Sequence, residues 1–344
     1  MLFLCDVMKF LLCAYHVYMR VCVIGFVNRN LKILLWFARN YALKRYDWPA
    51  YVTFKTTTFC NLRCSYCNPA YWNGSIPHLD TQKTLNIIDN IAKSSAYVLS
   101  FEGGEPTMRE DLLDLVRRAK EHSFYTFVTT NGTRLDKIQL DKLAEYLDYL
   151  HISIDEYHNN MYLYDRLGEF RRAGLKVNIQ VVVTRRTLGR LEDKVRRARK
   201  YRFKLLAMPA IDYPGNIRLS PDPLEYRREM ERLKRLYPET LNNSFDYIEL
   251  WERGYTCRSM AIQVEPNGDL VYPCDFKGKV LGNLTTTPLN SLLASPKARE
   301  LRGVCYTGKP CGQYLHMQTS AMASIRGLID YGLPMVKWRF TGRA

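Results

Sequence analysis

From about residue 50 the chain repeats one unit, a short β-rich apolar run followed by apolar positions at helical spacing. The strand candidates are AYVTFKTTT, YVLSFEGG, FYTFVTTNG, YLHISIDE, KVNIQVVVT and KLLAMPA. Between them lie helical patterns such as REDLLDLVRRAKEH, LDKLAEYL and LGRLEDKVRRARKY. One helix start is marked by Thr107 and Glu110, a T-x-x-E capping box directly after Pro106. Strands that alternate with helices pair in parallel through right-handed crossovers. The expected fold is therefore α/β, a partial (β/α)6 TIM-like barrel over residues 47–215, with ligands at the C-terminal strand ends.

After the barrel the pattern changes. SPDPLEYRREMERLKRLYPET reads as a helix in a connecting stretch over 216–249, with Ser220 as cap and Pro221 at its first position. CRSMAIQVEPNGDLVYPC is a hairpin signal, in which Asn267 and Gly268 supply two positive-φ residues between alternating strands. It opens a small hairpin-plus-helix domain over 250–315, followed by a basic C-terminal segment, 316–344, of unassigned structure. Residues 1–46 are apolar but interrupted by charges, without the basic leading region or cleavage site of a signal peptide. No run of about 18 uncharged apolar residues occurs there, which argues against a membrane span. Within it, NLKILLWFARNYALKR has the amphipathic spacing of an interfacial helix on an anionic bilayer; the alternative is a helix docked on its own protein.

Composition changes this picture in two ways. A formal charge of +16 predicts attraction to an anion, be it a membrane surface, a nucleic acid or a phosphorylated substrate. Most of one basic cluster lies in RRTLGRLEDKVRRARKYRFK, which reads first as a solvated helix face and second as an anchor for anionic lipid. Ten cysteines in a chain that is neither short nor evidently secreted point to metal ligands or catalytic groups rather than bridges, and to a cytoplasmic setting.

Cys60, Cys64 and Cys67 lie on the loop after the first strand. Three thiolates within eight residues can hold three irons of a [4Fe–4S] cube and leave the fourth iron open, as a reactive metal site needs. A structural zinc site would need a fourth ligand, and the nearest histidine, His78, lies eleven residues further on.

The spacing C-x3-C-x-aromatic-C, with Tyr66 in the aromatic slot, resembles that of the radical S-adenosylmethionine (SAM) superfamily. The resemblance implies that the open iron chelates SAM and that one electron, from a low-potential ferredoxin- or flavodoxin-like donor, cleaves it. The resulting 5′-deoxyadenosyl radical then takes hydrogen from an unactivated carbon. It also implies further SAM-site residues. Gly103, Gly104 and Glu105 look like the GGEP motif, whose glycines admit a close ligand and whose glutamate meets the SAM ammonium. Thr130 begins a Thr-Asn-Gly strand end, Ser153 and Asp155 end the fourth strand near the SAM ribose or carboxylate, and Arg166 sits where relatives pair an arginine with that carboxylate.

Cys257, Cys274, Cys305 and Cys311 form a second set, with NGDLVYPCDFKGKVLGNL resembling the hairpin of the twitch and SPASM extensions of this superfamily. Four thiolates would close the coordination of an auxiliary [4Fe–4S] cluster, and a structural zinc ion would satisfy them as well. Cys5, Cys13 and Cys22 read as small hydrophobes. Of the histidines, His158 could face a substrate, whereas His151 is placed on a strand and given no role.

For the substrate, the amphipathic N-terminus and the basic run favour a membrane lipid or isoprenoid at an anionic membrane surface, on the inner face of the cell membrane. Peptide or protein modification is the alternative, since SPASM and twitch relatives often mature peptides; against it, the residues before the barrel are few for a peptide-recognition domain. A non-catalytic RNA-binding protein is the reading from another class, but no dedicated nucleic-acid domain or aromatic-basic RNA motif is seen.

Overall fold

The computed structural model describes residues 32–33, 35–36, 38–39, 47–68, 72–212, 218–254, 260–274, 278–303, 315 and 317. Strands β1 (Tyr51–Thr57), β2 (Val98–Gly103), β3 (Tyr125–Thr130), β4 (Tyr149–Ser153), β5 (Val177–Val183) and β6 (Lys204–Pro209) pair in sequence order, each in parallel. The crossovers carry α1 (Thr81–Ala92), α2 (Leu112–Glu121), α3 (Leu140–Tyr146), α4 (Leu163–Arg172) and α5 (Leu191–Lys200). The result is the expected open α/β sheet. Two of its helices, α1 and α4, were not singled out from the sequence.

Alternation along the strands assigns the two faces. Val52 and Phe54 of β1, Leu99 and Phe101 of β2, Val128 of β3 and Leu150 and Ile152 of β4 enter one core with Ile87, Ile88, Leu115 and Val116 of the helices. Burying such side chains contributes on the order of 1.5–3 kcal/mol each. The opposite, inner face carries the intervening residues, and it is largely polar.

The sheet does not stop at the barrel. Beyond β1 it continues with β7 (Ala261–Val264), parallel to β1, and then β8 (Asp269–Tyr272) and β9 (Lys279–Asn283) in antiparallel order. The small C-terminal unit is thus hydrogen-bonded into the main sheet through its first strand. Helices α6 (Pro223–Leu236) and α7 (Phe245–Arg253) connect the two parts, and α8 (Leu289–Ala294) and α9 (Pro296–Gly303) follow β9.

Three local expectations are corrected. The Thr107/Glu110 capping box does not form: α2 begins at Leu112, and Thr107 sits in a short 3-10 turn capped by the side chain of Glu105. The cap of α6 is Asp222, which accepts from Leu224 N and Glu225 N, with Pro223 rather than Pro221 at the first position. In the hairpin only Gly268 has positive φ (+88°); Gly268 N donates to Glu265 O and Glu265 N to Asp269 O, so the turn is a three-residue loop ending in a left-handed glycine.

The described residues of the proposed interfacial helix dock on the protein itself. Trp36 packs edge-on against Tyr97 and donates from Nε1 to Trp48 O. Lys32 Nζ donates to Ala92 O, and Arg39 forms a two-point pair with Asp47. These aromatic and basic groups are buried against the chain. Among the described residues no helix is long and apolar enough to cross a membrane. The basic run is also less free than expected: Lys194 is buried against Glu156, while Arg196 and Arg197 pair with Glu192 and Asp193.

Candidate active site

Cys60, Cys64 and Cys67 lie on one loop at the C-terminal end of β1, none of them in a disulfide. The loop folds back on the strand end: Gly74 N donates to Thr58 O, and the Thr58 hydroxyl is bonded to both the carbonyl and the N–H of Ile76. Arg63 stiffens it from outside, donating to the carbonyls of Cys60, Leu62 and Trp72 with its guanidinium 4.5 Å from the Trp72 ring centre. A turn closed by Cys67 N donating to Cys64 O brings those two cysteines round.

Burial pushes the thiols of Cys64 and Cys67 up to about 12, helped at Cys64 by Asp155 and by the other two cysteines. Burial also raises the Cys60 thiol, and metal coordination deprotonates such a thiol outright. Among the described residues no three His, Cys, Asp or Glu side chains converge on a single-ion position. A zinc ion needs its sulfurs about 2.3 Å from one centre. A cube gives each thiolate its own iron, so three thiolates on one loop can serve a cluster without meeting at one centre.

The β2 end is tied to this loop through Gly104 N to Thr57 O and Glu105 N to Phe59 O. At Gly103 (φ +146°) a Cβ would sit 2.2 Å from Thr57 O, so the close approach of β1 to β2 here requires a glycine. Glu105 is 1% exposed and accepts from Thr107 N, Thr107 Oγ1 and Thr130 Oγ1 on one oxygen and from Asn131 N on the other. Glu105 and Thr130 therefore form a buried clasp between the ends of β2 and β3, where the sequence suggested cofactor contacts. Asn131, which sequence reasoning left without a role, continues the clasp: its Nδ2 donates to Asn61 Oδ1 and lies 3.9 Å from Cys60 Sγ.

Asp155, fully buried, is a similar anchor at the end of β4. It accepts from Tyr157 N, His158 N and Val182 N and lies 3.0 Å from His158 Nδ1. Tyr66 Oη lies 3.0 Å from the same His158 Nδ1 and 3.1 Å from Nε2, so the His158 ring packs between Asp155 and the aromatic residue of the cysteine loop. Burial, then Asp155 and the neighbouring cysteines, raise the Tyr66 phenol well above its usual range, which keeps it neutral. Ser153 lies partly exposed on the inner face, with its carbonyl held by Asn160 Nδ2. Arg166 is not brought to this site. It lies on α4, paired with Asp136 and Glu169, because a helix flank offers it two carboxylates within reach.

Of the second cysteine set, Cys274 is buried just beyond β8, whereas Cys257, Cys305 and Cys311 lie outside the described residues, as do Cys5, Cys13 and Cys22.

An open parallel sheet with a three-thiol loop at its first strand end defines an iron–sulfur enzyme built to bind SAM. The comparisons agree. The radical SAM superfamily matches residues 54–212, and SPASM, an iron-sulfur cluster-binding domain, matches residues 257–313. The PqqA peptide cyclase of Ruegeria pomeroyi is 27% identical over 318 residues, which span 83% of this chain and 82% of that protein. Other curated relatives match over shorter stretches, such as 27% and 61% of their own lengths. Streptococcus suis SuiB bound to precursor peptide SuiA superposes with a TM-score of 0.63 at 17% identity, over 85% of this chain and 78% of SuiB. AnSMEcpe with bound AdoMet and Cp18Cys peptide gives 0.60 at 18%, over 85% and 99%. At such identities these two likenesses speak for the fold. The chain belongs to the radical SAM superfamily and carries a C-terminal SPASM domain. It is an enzyme of SAM and [4Fe–4S] clusters, an auxiliary one included, and it takes its electrons from a reductant.

Proposed function

We propose that this enzyme modifies a peptide or protein substrate. The observation that carries the reading is the match to a peptide cyclase over four-fifths of both chains. The lipid reading suggested by the N-terminal pattern has lost its support in the described part of that segment, where Lys32, Trp36 and Arg39 are buried against the protein.

In this reading Cys60, Cys64 and Cys67 hold the cluster that meets SAM, and Cys274 joins Cys257, Cys305 and Cys311 around the auxiliary one. When bound, the cluster and SAM supply one-electron cleavage of SAM and hydrogen abstraction from an unactivated carbon. The chain's own part is to orient and to exclude water. The Glu105 clasp fixes the ends of β2 and β3 against the cysteine loop, the Asp155–His158 pair holds Tyr66, and Ser153 offers a hydroxyl on the inner face. The electron donor is a low-potential ferredoxin- or flavodoxin-like protein.

Anaerobic reconstitution followed by iron and sulfide counting is expected to give about eight irons per chain, two cubes. With dithionite and SAM, 5′-deoxyadenosine should form, and Cys64→Ala should abolish it. Peptide pools, not lipid extracts, should accelerate that formation and emerge with altered masses. Acceleration by lipid alone would overturn the peptide reading.

A further inference from the structure

The end of β3 meets the cysteine loop through one side chain. Asn131 follows β3 directly, is 5% exposed, and has each of its polar groups engaged. Its N–H donates to Glu105 Oε2 at 2.7 Å, and its carbonyl accepts from Asn160 Nδ2 at 2.6 Å. On the side chain, Oδ1 accepts from Thr133 N at 3.0 Å and from Thr133 Oγ1 at 2.7 Å. A backbone N–H can only donate, so the amide oxygen must face Thr133 and the NH2 group must face the other way.

That other way is the cysteine loop. Asn131 Nδ2 lies 2.9 Å from Asn61 Oδ1 and 3.9 Å from Cys60 Sγ, and an amide nitrogen carries two hydrogens, one for each. Leu62 N, 3.4 Å from the same sulfur, is a second donor to Cys60. Burial raises the Cys60 thiol; the Leu62 and Asn131 donors and the Arg63 guanidinium oppose it, while the Glu105 carboxylate adds to it. An N–H aimed at a thiolate favours whichever state of a cluster is more negative, and hydrogen bonds to the sulfurs are among the factors that set a cluster's potential. Because both backbone groups and the amide oxygen of Asn131 are already fixed, this donor is held in place before any electron arrives.

We propose that Asn131 is a positioning residue for electron uptake: its amide, aimed by Thr133, donates to the Cys60 thiolate and raises the reduction potential of the SAM-binding cluster. In that step one electron passes from the reductant to the cluster, and no bond is made or broken. The inference rests on Cys60 being a ligand of that cluster and is independent of the substrate.

The test is an EPR-monitored redox titration of the reconstituted full-length holoenzyme, run without SAM. Adding SAM to a reduced sample identifies the signal of the cluster with the open iron. Asn131→Leu removes the donor. Asn131→Asp keeps an oxygen facing Thr133 and puts a second oxygen where the donor was. At the wild-type midpoint potential the reduced-to-oxidised ratio of that cluster should fall by about threefold in Asn131→Leu and further in Asn131→Asp. Asn61→Ala, which removes only the amide's other acceptor, should not lower it. A role confined to holding the loop would lower iron content or melting temperature and leave the potential of the clusters that form unchanged, and that result overturns the inference. A fall in Asn61→Ala equal to that in Asn131→Leu overturns it as well, and so does a fall in Asn131→Asp alone, which would be an effect of charge. If neither Asn131 variant forms the cluster, the residue is structural and the tuning role is refuted. The ligand assignment has its own check: Cys60→Ala should abolish the SAM-responsive signal. Survival of that signal would remove the assignment, and the inference with it, whatever the Asn131 variants show.

Discussion

His151 shows how a side chain given no role by its neighbours in sequence acquires one from its surroundings. It stacks at 5.1 Å on Phe127 and is bonded to Gln180 on the inner face, where burial drops its pKa to about 4 from 6.5. The sign follows from which state binds the proton. As pH falls below 6.5 the unfolded chain protonates this histidine first, so its effect is to lower stability between 6.5 and about 4, with no further loss below. The slope is about 1.4 kcal/mol per pH unit, a total near 3 kcal/mol. Urea midpoints across this range should show the slope in the wild type and a flatter one in His151→Gln. An NMR titration of the ring proton is expected to place the midpoint near 4. A midpoint near 6.5 would return the ring to solvent.

At the scale of elements, caps and turns decide where the regular structure begins. Both Ser220 and Asp222 are residue types that cap helices, and each is followed by proline, so local sequence offers two equivalent starts for α6. The structure chooses Asp222, whose carboxylate accepts from Leu224 N and Glu225 N, while Ser220 Oγ is spent on Ala210 O at the end of β6. Asp222→Ala should therefore lower the unfolding free energy by about 1 kcal/mol. Denaturant melts of this variant beside Ser220→Ala would check it: only the first should lose the helical cap, visible as faster amide exchange at Leu224 and Glu225.

Taken as a whole molecule, the catalytic sheet and the SPASM hairpin are mechanically one. Beyond the β1–β7 pairing, Asn90 of α1 donates to the carbonyls of Leu284 and Thr287 and accepts from Leu289 N, which ties the barrel's first helix to the segment after β9. Replacing a half-buried side chain with three such bonds strands backbone groups at about 1 kcal/mol each. Asn90→Ala should thus lower stability by about 2–3 kcal/mol. If the two parts are coupled, tryptophan fluorescence and far-UV dichroism will still fall in one coincident transition, at a lower midpoint. Separate transitions would show that the hairpin region melts alone.

Much of this was already written along the chain. The short β-rich runs alternating with helical spacing placed all six parallel strands, because both patterns are local and need no tertiary knowledge. The spacing of Cys60, Cys64 and Cys67 carried the cluster chemistry, since ligands on one short loop are local by construction. Other assignments needed contacts between residues far apart in sequence. That Glu105 clasps Thr130 and Asn131 shows only once the next strand arrives beside it, and that Arg166 is engaged by Asp136 and Glu169 only once the turn before α3 meets α4. The same holds for the N-terminal segment, whose amphipathic pattern suits a bilayer or a protein surface equally until Trp36 is seen against Tyr97. Sequence determined which chemistry this protein carries and on which strand ends. Only the tertiary structure decided which polar groups are spent on holding the fold and which are left facing inward, because a hydrogen bond's second partner has no fixed address in the sequence.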